Sequence, residues 1–251
     1  MMNIQLTPIV KQLLIANIIF FIGSFLVPAA QSLFALYYFE NPNFQIWQPL
    51  TSMFMHGGIT HILFNMFALV SFGTFLEYVF GGKRFLAFYI LSGLGASILH
   101  LVVNYYQVHQ AVDLLVLNGF SKTEIYELLN KGMYNTGWMT VLSQEKLNAL
   151  NMAFHTPAVG ASGAIYGLLV AFAFMAPNAG LSLLFIPVPI KAKYFVPGLL
   201  LIDLYLGVTG GGAIFGGSTG IAHFAHLGGA LAGFVLMMNF RKRQFDQNRW
   251  D

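Results

Sequence analysis

Long apolar runs dominate the chain. Stretches close to the ~20 residues that cross a bilayer as a helix can be read at about 10–30, 58–80, 85–104, 158–176, 194–208 and 219–240. The pattern predicts six spanning helices, the fifth being the weakest because it is short and carries Asp203. One region, about 105–156, breaks the pattern with Asp113, Lys122, Glu124, Glu127, Lys131, Glu145 and Lys146. Two helix-like pieces lie in it: one opening with Ser121-Lys122-Thr123-Glu124 in the manner of a capping box, the other "SQEKLNALNMAF". This predicts a helical insertion between spans three and four, too small for a separate domain and lying on the outer face. Residues 1–251 therefore read as one all-α, polytopic membrane domain, with the insertion at about 105–156 and a short basic tail at about 241–251. The glycine-rich "VTGGGAIFGGSTG" at 208–220 suits a tight connector or a mobile flap.

Composition sharpens this reading. With 57% hydrophobic and 8% charged residues, the chain has too little charge to cover a water-exposed surface. Outside the insertion the basic residues are Lys11, Lys83, Arg84, Lys191, Lys193, Arg241, Lys242, Arg243 and Arg249, all on one side of a six-span arrangement. The positive-inside rule makes that side, with both termini, cytoplasmic, so a multi-pass protein of the cell membrane is expected. These flanks account for the net charge of +3, which gives no footprint for nucleic acid. Cysteine is absent, so disulfides, thiolate metal sites and a cysteine nucleophile are excluded. Lys11 and "VPAAQS" give the first span some likeness to a signal peptide. Cleavage would spoil the charge pattern, so the span is expected to be kept.

Polar residues converge at one depth. Spans two, four and six enter the membrane from the same outer side. Thr156-Pro157 reads as an N-cap and N1 proline, which puts Ser162 ~8 Å down its helix at 1.5 Å per residue. Ser218 or Thr219 as the start of span six puts His226 ~11 Å down. His61 and Asn65, four apart near the start of span two, project from one face. Polar groups buried in lipid are functional candidates because no water solvates them. Gly163 with Gly167 and Gly229 with Gly233 form small-xxx-small faces that let helices approach closely. Tyr166, one turn below Ser162, can pack against the imidazole of His226. Gly-x-Ser-Gly alone would be helix-packing chemistry, but convergence with His226, His61 and Asn65 turns it into a candidate acyl-transfer site. His223 is expected to be a solvated bystander, His56, His100, His109 and His155 to be interfacial, and Asp203 to make a helix–helix hydrogen bond.

Gly160-Ala161-Ser162-Gly163 with Tyr166, His61-x-x-x-Asn65, and Ala225-His226-x-x-Gly229-x-x-x-Gly233 together resemble the rhomboid intramembrane serine proteases. The likeness covers all six spans, leaves the insertion unmatched, and extends to Glu77 and Gly81. It implies Ser162 as nucleophile and His226 as general base, a dyad with no carboxylate partner, with Tyr166, Gly160 and Gly163 in support. His61, Asn65 and the backbone N–H of Ser162 would form the oxyanion hole. It also implies single-pass transmembrane protein substrates in membrane lipid, cut near their outer ends, and no cofactor or metal. Where the family usually has Trp-Arg, this chain has Trp47-Gln48. The alternative is a non-proteolytic membrane protein, a transporter or a rhomboid-like binding protein. A transporter should show paired repeats with broken helices at the midplane, and a binding-only relative should have lost Ser162 or His226. A metalloprotease would need HExxH, and neither "HILFN" nor "HFAHLG" supplies the glutamate. An aspartyl protease would need a second aspartate beside Asp203.

Overall fold

The structure, a computed structural model, describes residues 6–181, 189–209 and 220–247, the last helix by its backbone alone at 220–222 and 241–247. Most of the 208–220 connector, with Ser218 and Thr219, lies outside the described residues, as does the end of the basic tail. Helix α1 (Pro8–Leu26) starts on an N1 proline and stops at Val27, which precedes Pro28. Short helices α2 (Ala30–Phe34) and α3 (Gln48–Thr51) follow. The second span is α4 (Ile59–Ala68), a π-helical turn at Leu69–Gly73, and α5 (Thr74–Phe80). Then come α6 (Gly82–Leu117), α7 (Lys122–Asn130), α8 (Gln144–His155) and α9 (Ser162–Met175). A two-residue antiparallel pair, β1 (Gly180–Leu181) with β2 (Ile190–Lys191), leads into α10 (Ala192–Thr209) and α11 (Gly220–Gln247). Among the described residues, five helical segments are long and apolar enough to cross a membrane, and α9 is a shorter apolar helix. This is a polytopic helical membrane protein.

Side chains such as Ile19, Phe25, Leu201 and Val208 stand exposed on the outside of the bundle, as expected where lipid rather than water is the solvent. Inside, α11 packs most extensively on α6 and α9. Small residues make this possible: a Cβ at Gly229 would run into the carbonyl of Gly163, one at Gly233 into the backbone of Gly167, and one at Gly163 into Ala96. At the far end, the buried Glu77 of α5 accepts hydrogen bonds from the N–H groups of Ile9 (3.0 Å) and Val10 (2.8 Å). These amides begin α1 and have no partner within it, so the carboxylate caps a helix that its own Thr7 side chain leaves uncapped. Gly81, at φ 77°, makes the turn into α6 that an L side chain would strain.

Two predicted spans have different limits. The third does not end at 104: α6 runs for 36 residues to Leu117, about 54 Å at 1.5 Å per residue. Buried Val108, Ala111, Val112 and Leu115 continue an apolar stripe beyond the bilayer length; α7 and α8 close over it with Ile125, Leu129, Leu147 and Leu150, joined by Trp138 from the short 3-10 turn between them. The insertion is therefore a small core built on a projecting helix. It is tied to the rest by Glu40, which accepts hydrogen bonds from Tyr38 and Tyr126, both at 2.9 Å, and pairs with His109 at 3.1 Å. Burial pushes the Glu40 carboxyl up, but the bonds from Tyr126, His109 and Tyr38 outweigh it and hold the group below its ordinary range. Helix α7 begins where the capping box predicts, yet Ser121 makes no side-chain cap, whereas Ser143 of α8 accepts from the Lys146 N–H at 3.3 Å.

The fourth helix is the other correction. Thr156-Pro157 does not start it, since Thr156 follows the end of α8 and α9 begins at Ser162 itself. Residues between them are held extended by paired backbone bonds of Ala158 with Leu36 (2.8 and 2.9 Å) and by Gly160 N–H to the Ser52 carbonyl at 2.9 Å. His100 is also not interfacial; it is buried and hydrogen-bonded to Asn104 at 3.2 Å. Gln48, in place of the expected arginine, is buried and braces the α2–α3 segment, donating to the carbonyls of Ser32 (3.2 Å) and Asn43 (2.8 Å) and accepting from Tyr37 N–H at 3.2 Å.

Gly229→Ala should lower the thermal unfolding temperature in detergent, because the new Cβ meets backbone that cannot yield; overpacking of this kind costs about 1–3 kcal/mol. Gly23→Ala, with open space around its Cβ, should leave the temperature unchanged or raise it. Equal responses from the two variants would show that the α9–α11 seam is not the tight contact described.

Candidate active site

Ser162 is the first residue of α9, reached through Gly160 at φ 129° and the buried Ala161. The first backbone bond of this helix runs from Ile165 N–H to the Ala161 carbonyl. The amides of Ser162, Gly163 and Ala164 therefore precede the intrahelical ladder and form the positive end of the helix dipole around the Ser162 hydroxyl. This placement differs from the expected one, in which the serine lay one and a half turns inside its helix. It brings the helix end, not just its side, to the reacting position.

His226 of α11 stands opposite. Its Nε2 is 2.9 Å from Ser162 Oγ, and its ring stacks on Tyr166 with centroids 4.2 Å apart and planes 10° from parallel. Nε2 can accept the serine proton only when the neutral ring carries its hydrogen on Nδ1. The Nδ1 side faces Asp203 of α10, whose Oδ1 is 3.5 Å away, and the Tyr166 hydroxyl is near enough to that carboxylate to interact with it. A carboxylate thus sits on the far side of the imidazole where none was expected.

His223 is the second correction. Only 2% exposed, it is no solvated bystander: its Nδ1 is 2.5 Å from the same Asp203 Oδ1. Its ring lies 6.4 Å from that of His226 and at 89° to it. The signal was present in the sequence, since residues three apart share a helix face and a carboxylate taken into lipid needs partners. Asp203, His223 and His226 bring three donor atoms within 4.8 Å of one another, a grouping that could hold a metal ion and that sequence reasoning did not find.

His61 and Asn65 behave differently from each other. His61 Nδ1 accepts a hydrogen bond from Gly57 N–H at 3.3 Å, so a neutral ring carries its hydrogen on Nε2. That edge flanks Gly160: a Cβ there would stand 2.8 Å from His61 Nε2 and 3.5 Å from Ser162 Oγ. A glycine is required by this crowding as well as by its φ. Asn65 is buried one turn further in, and its side-chain amide donates to the His61 carbonyl at 3.0 Å. His56 is buried rather than interfacial, its Nδ1 at 3.3 Å from the Phe54 carbonyl and its ring 5.1 Å from that of His61. Burial first, and the neighbouring His61 second, push His56 down to about 4.

A family model described as the Rhomboid domain matches residues 43–243. Among the most similar curated proteins, RHOMBOID-like protein 12, mitochondrial, of Arabidopsis thaliana is 30% identical over 78% of this chain and 47% of its own. RHOMBOID-like protein 6, mitochondrial, of the same plant is 33% identical over 53% of this chain and 46% of its own. Rhomboid protease AarA of Providencia stuartii is 26% identical over 77% of this chain and 56% of its own. The chain spans about half the length of these relatives.

The His56 environment gives a pH dependence of stability. Its pKa falls from 6.5 unfolded to about 4 folded, so between these values the unfolded chain binds more protons. Stability is then present above the unfolded value and is lost as pH falls towards the folded one. The unfolding temperature in detergent should drop across this window, and His56→Gln should drop less. The difference between the two curves isolates His56 from His155, which burial also pushes down; superimposable slopes would refute the assignment.

Proposed function

The chain belongs to the rhomboid family, and from that premise we propose that it is a serine endopeptidase that cleaves transmembrane-helix substrates with Ser162 as nucleophile and His226 as base. The observation that carries the reading is the 2.9 Å contact between Ser162 Oγ and His226 Nε2, made between helices whose glycines let them meet. In the first step the Ser162 oxygen attacks the substrate carbonyl carbon while its proton passes to His226 Nε2. The proton then goes to the leaving amine, and water repeats the sequence on the acyl-enzyme. Asp203 favours the Nδ1–H tautomer and the imidazolium that forms, though at 3.5 Å its hold is weaker than a direct short bond would give. Tyr166 fixes the ring plane by stacking.

Negative charge on the carbonyl oxygen meets the free amides at the start of α9, the Ser162 N–H first among them, with His61 Nε2–H as the nearest side-chain donor. Asn65 can contribute only through the amide hydrogen that its bond to the His61 carbonyl leaves over. The substrate class that fits is a single-pass transmembrane protein unwound near the membrane surface where the insertion lies. The charge pattern supports a sidedness for this reading: basic residues flank the opposite ends of the helices, which favours those ends and both termini as cytoplasmic and the dyad in the outer half of a cell membrane.

Ser162→Ala and His226→Ala should each abolish cleavage of a model transmembrane substrate in detergent without lowering the unfolding temperature, because paired catalytic groups act as a unit. A fluorophosphonate should label wild type at Ser162, and chelators should not inhibit. Chelator inhibition reversed by zinc would sink the serine mechanism.

Within the oxyanion hole, loss of one donor typically costs about 10²–10³ in kcat. His61→Ala should approach that range, Asn65→Ala should cost less, and the double variant should cost less than the product of the two. Wild-type kcat in the double variant would mean that the pair is structural.

A further inference from the structure

We propose that Asp203, His223 and His226 form a binding site for one divalent transition-metal ion, zinc by the nature of its donors, and that an ion held there disarms His226 as a base. The inhibitory half of this inference rests on the serine-endopeptidase reading above, whereas the binding half stands on the side chains alone.

Three helical positions supply the donors. His223 and His226 are three apart and present Nδ1 atoms to the same side of α11, and Asp203 reaches them from α10. All three donor atoms fall within 4.8 Å of one another, the separations from Asp203 Oδ1 being 2.5 and 3.5 Å. Metal–ligand distances of about 2.0–2.2 Å in a tetrahedral site put neighbouring donors roughly 3.4 Å apart, so shifts of about 1 Å complete the geometry. Two imidazoles and one carboxylate suit zinc and its transition-metal neighbours; magnesium and calcium need more oxygen ligands than this pocket offers. A fourth position is left for water, as in sites with three protein ligands. The ion would also offset the carboxylate charge that α10 otherwise carries into the membrane.

The consequence for the dyad follows from tautomers. As a base, His226 needs its hydrogen on Nδ1 and a lone pair on Nε2. An ion on Nδ1 takes the other lone pair, and the ring keeps one hydrogen by carrying it on Nε2, where it faces Ser162 Oγ. The ring of His223 makes the same shift, its hydrogen moving to a buried Nε2 that has no hydrogen-bond partner among the described residues. Ser162 then has no acceptor for its proton. The ion does not use the ring face that stacks on Tyr166, so the fold is kept while the reaction stops.

Binding is tested on the full chain in detergent carrying Ser162→Ala, so that it is read independently of activity. Titration with Co²⁺ should give the visible absorption of a four-coordinate site, saturating at one equivalent and displaced by zinc. Adding Asp203→Asn or His223→Gln should weaken it at least as much as the about 10–100-fold that losing an outer-shell partner costs, while His56→Gln should not. Thermal unfolding checks that each variant is folded. In the protein with Ser162 intact, zinc should slow cleavage and fluorophosphonate labelling and a chelator should restore both. Asp203→Asn and His223→Gln, each compared with its own metal-free rate, should resist. No cobalt spectrum, or one unchanged by the two substitutions, overturns the site and assigns any bound ion to other histidines. A zinc-saturated protein that cleaves at full rate overturns the inhibitory half. The predicted cobalt pattern in a protein without Ser162-dependent cleavage supports the site and defeats the endopeptidase reading instead.

Discussion

The close approach of α9 and α11 is the constraint on which the rest of the molecule depends. At Gly163 and Gly229 the two backbones touch without a side chain between them. A serine side chain is short, and only this approach brings its oxygen to an imidazole on another helix. In lipid there is no hydrophobic force between helices, so packing and hydrogen bonding must hold such a contact. Here α6 supplies a third wall, with Ala96 and Ser92 filling the groove beside Gly163 and Gly167. The residues that make the bundle compact therefore lie beside those that would be reactive.

Polar groups inside the membrane are organised as two separate solutions to the same problem. Glu77 is satisfied by backbone amides that a helix start leaves free, and its role ends with joining α1 to α5. Asp203 is met at one oxygen, Oδ1, by two imidazoles that differ in their further contacts. One of them continues to Ser162, the other does not, so the state of His223 bears on how firmly the carboxylate attends to His226. A network in which one acceptor serves two donors is sensitive to its members in a way that the closed Glu77 cap is not.

Much of this was legible in the sequence, for identifiable reasons. Apolar run lengths gave the spans, and glycine spacing with Ser162, Tyr166 and His226 gave the residues that meet. What escaped was set by tertiary context. The third helix overran its apolar stretch because Val108 to Leu115 find a core in the insertion rather than in lipid. Thr156-Pro157 carries a helix-start signal that loses to the strand-like pairing of Ala158 with Leu36 and to the turn at Gly160. The burial of His223 depends on a partner in α10 that position along α11 does not reveal.

Helix α6 is one rigid body from the small-residue seam to the tip of the insertion. From Gly95 at the seam to Leu117 the helix runs about 33 Å, so a tilt of one degree at the seam moves the far end by about 0.6 Å. The seam tolerates almost no sliding, since Gly95 faces Ala232 and Gly228 faces the Gly95 carbonyl. The helix is thus a lever whose short arm is clamped against the same helix that carries His226. Any load borne by the outer core is delivered as torque to that clamp, and the Glu40 cluster, which ties the long arm to the chain ahead of α3, acts as its stay.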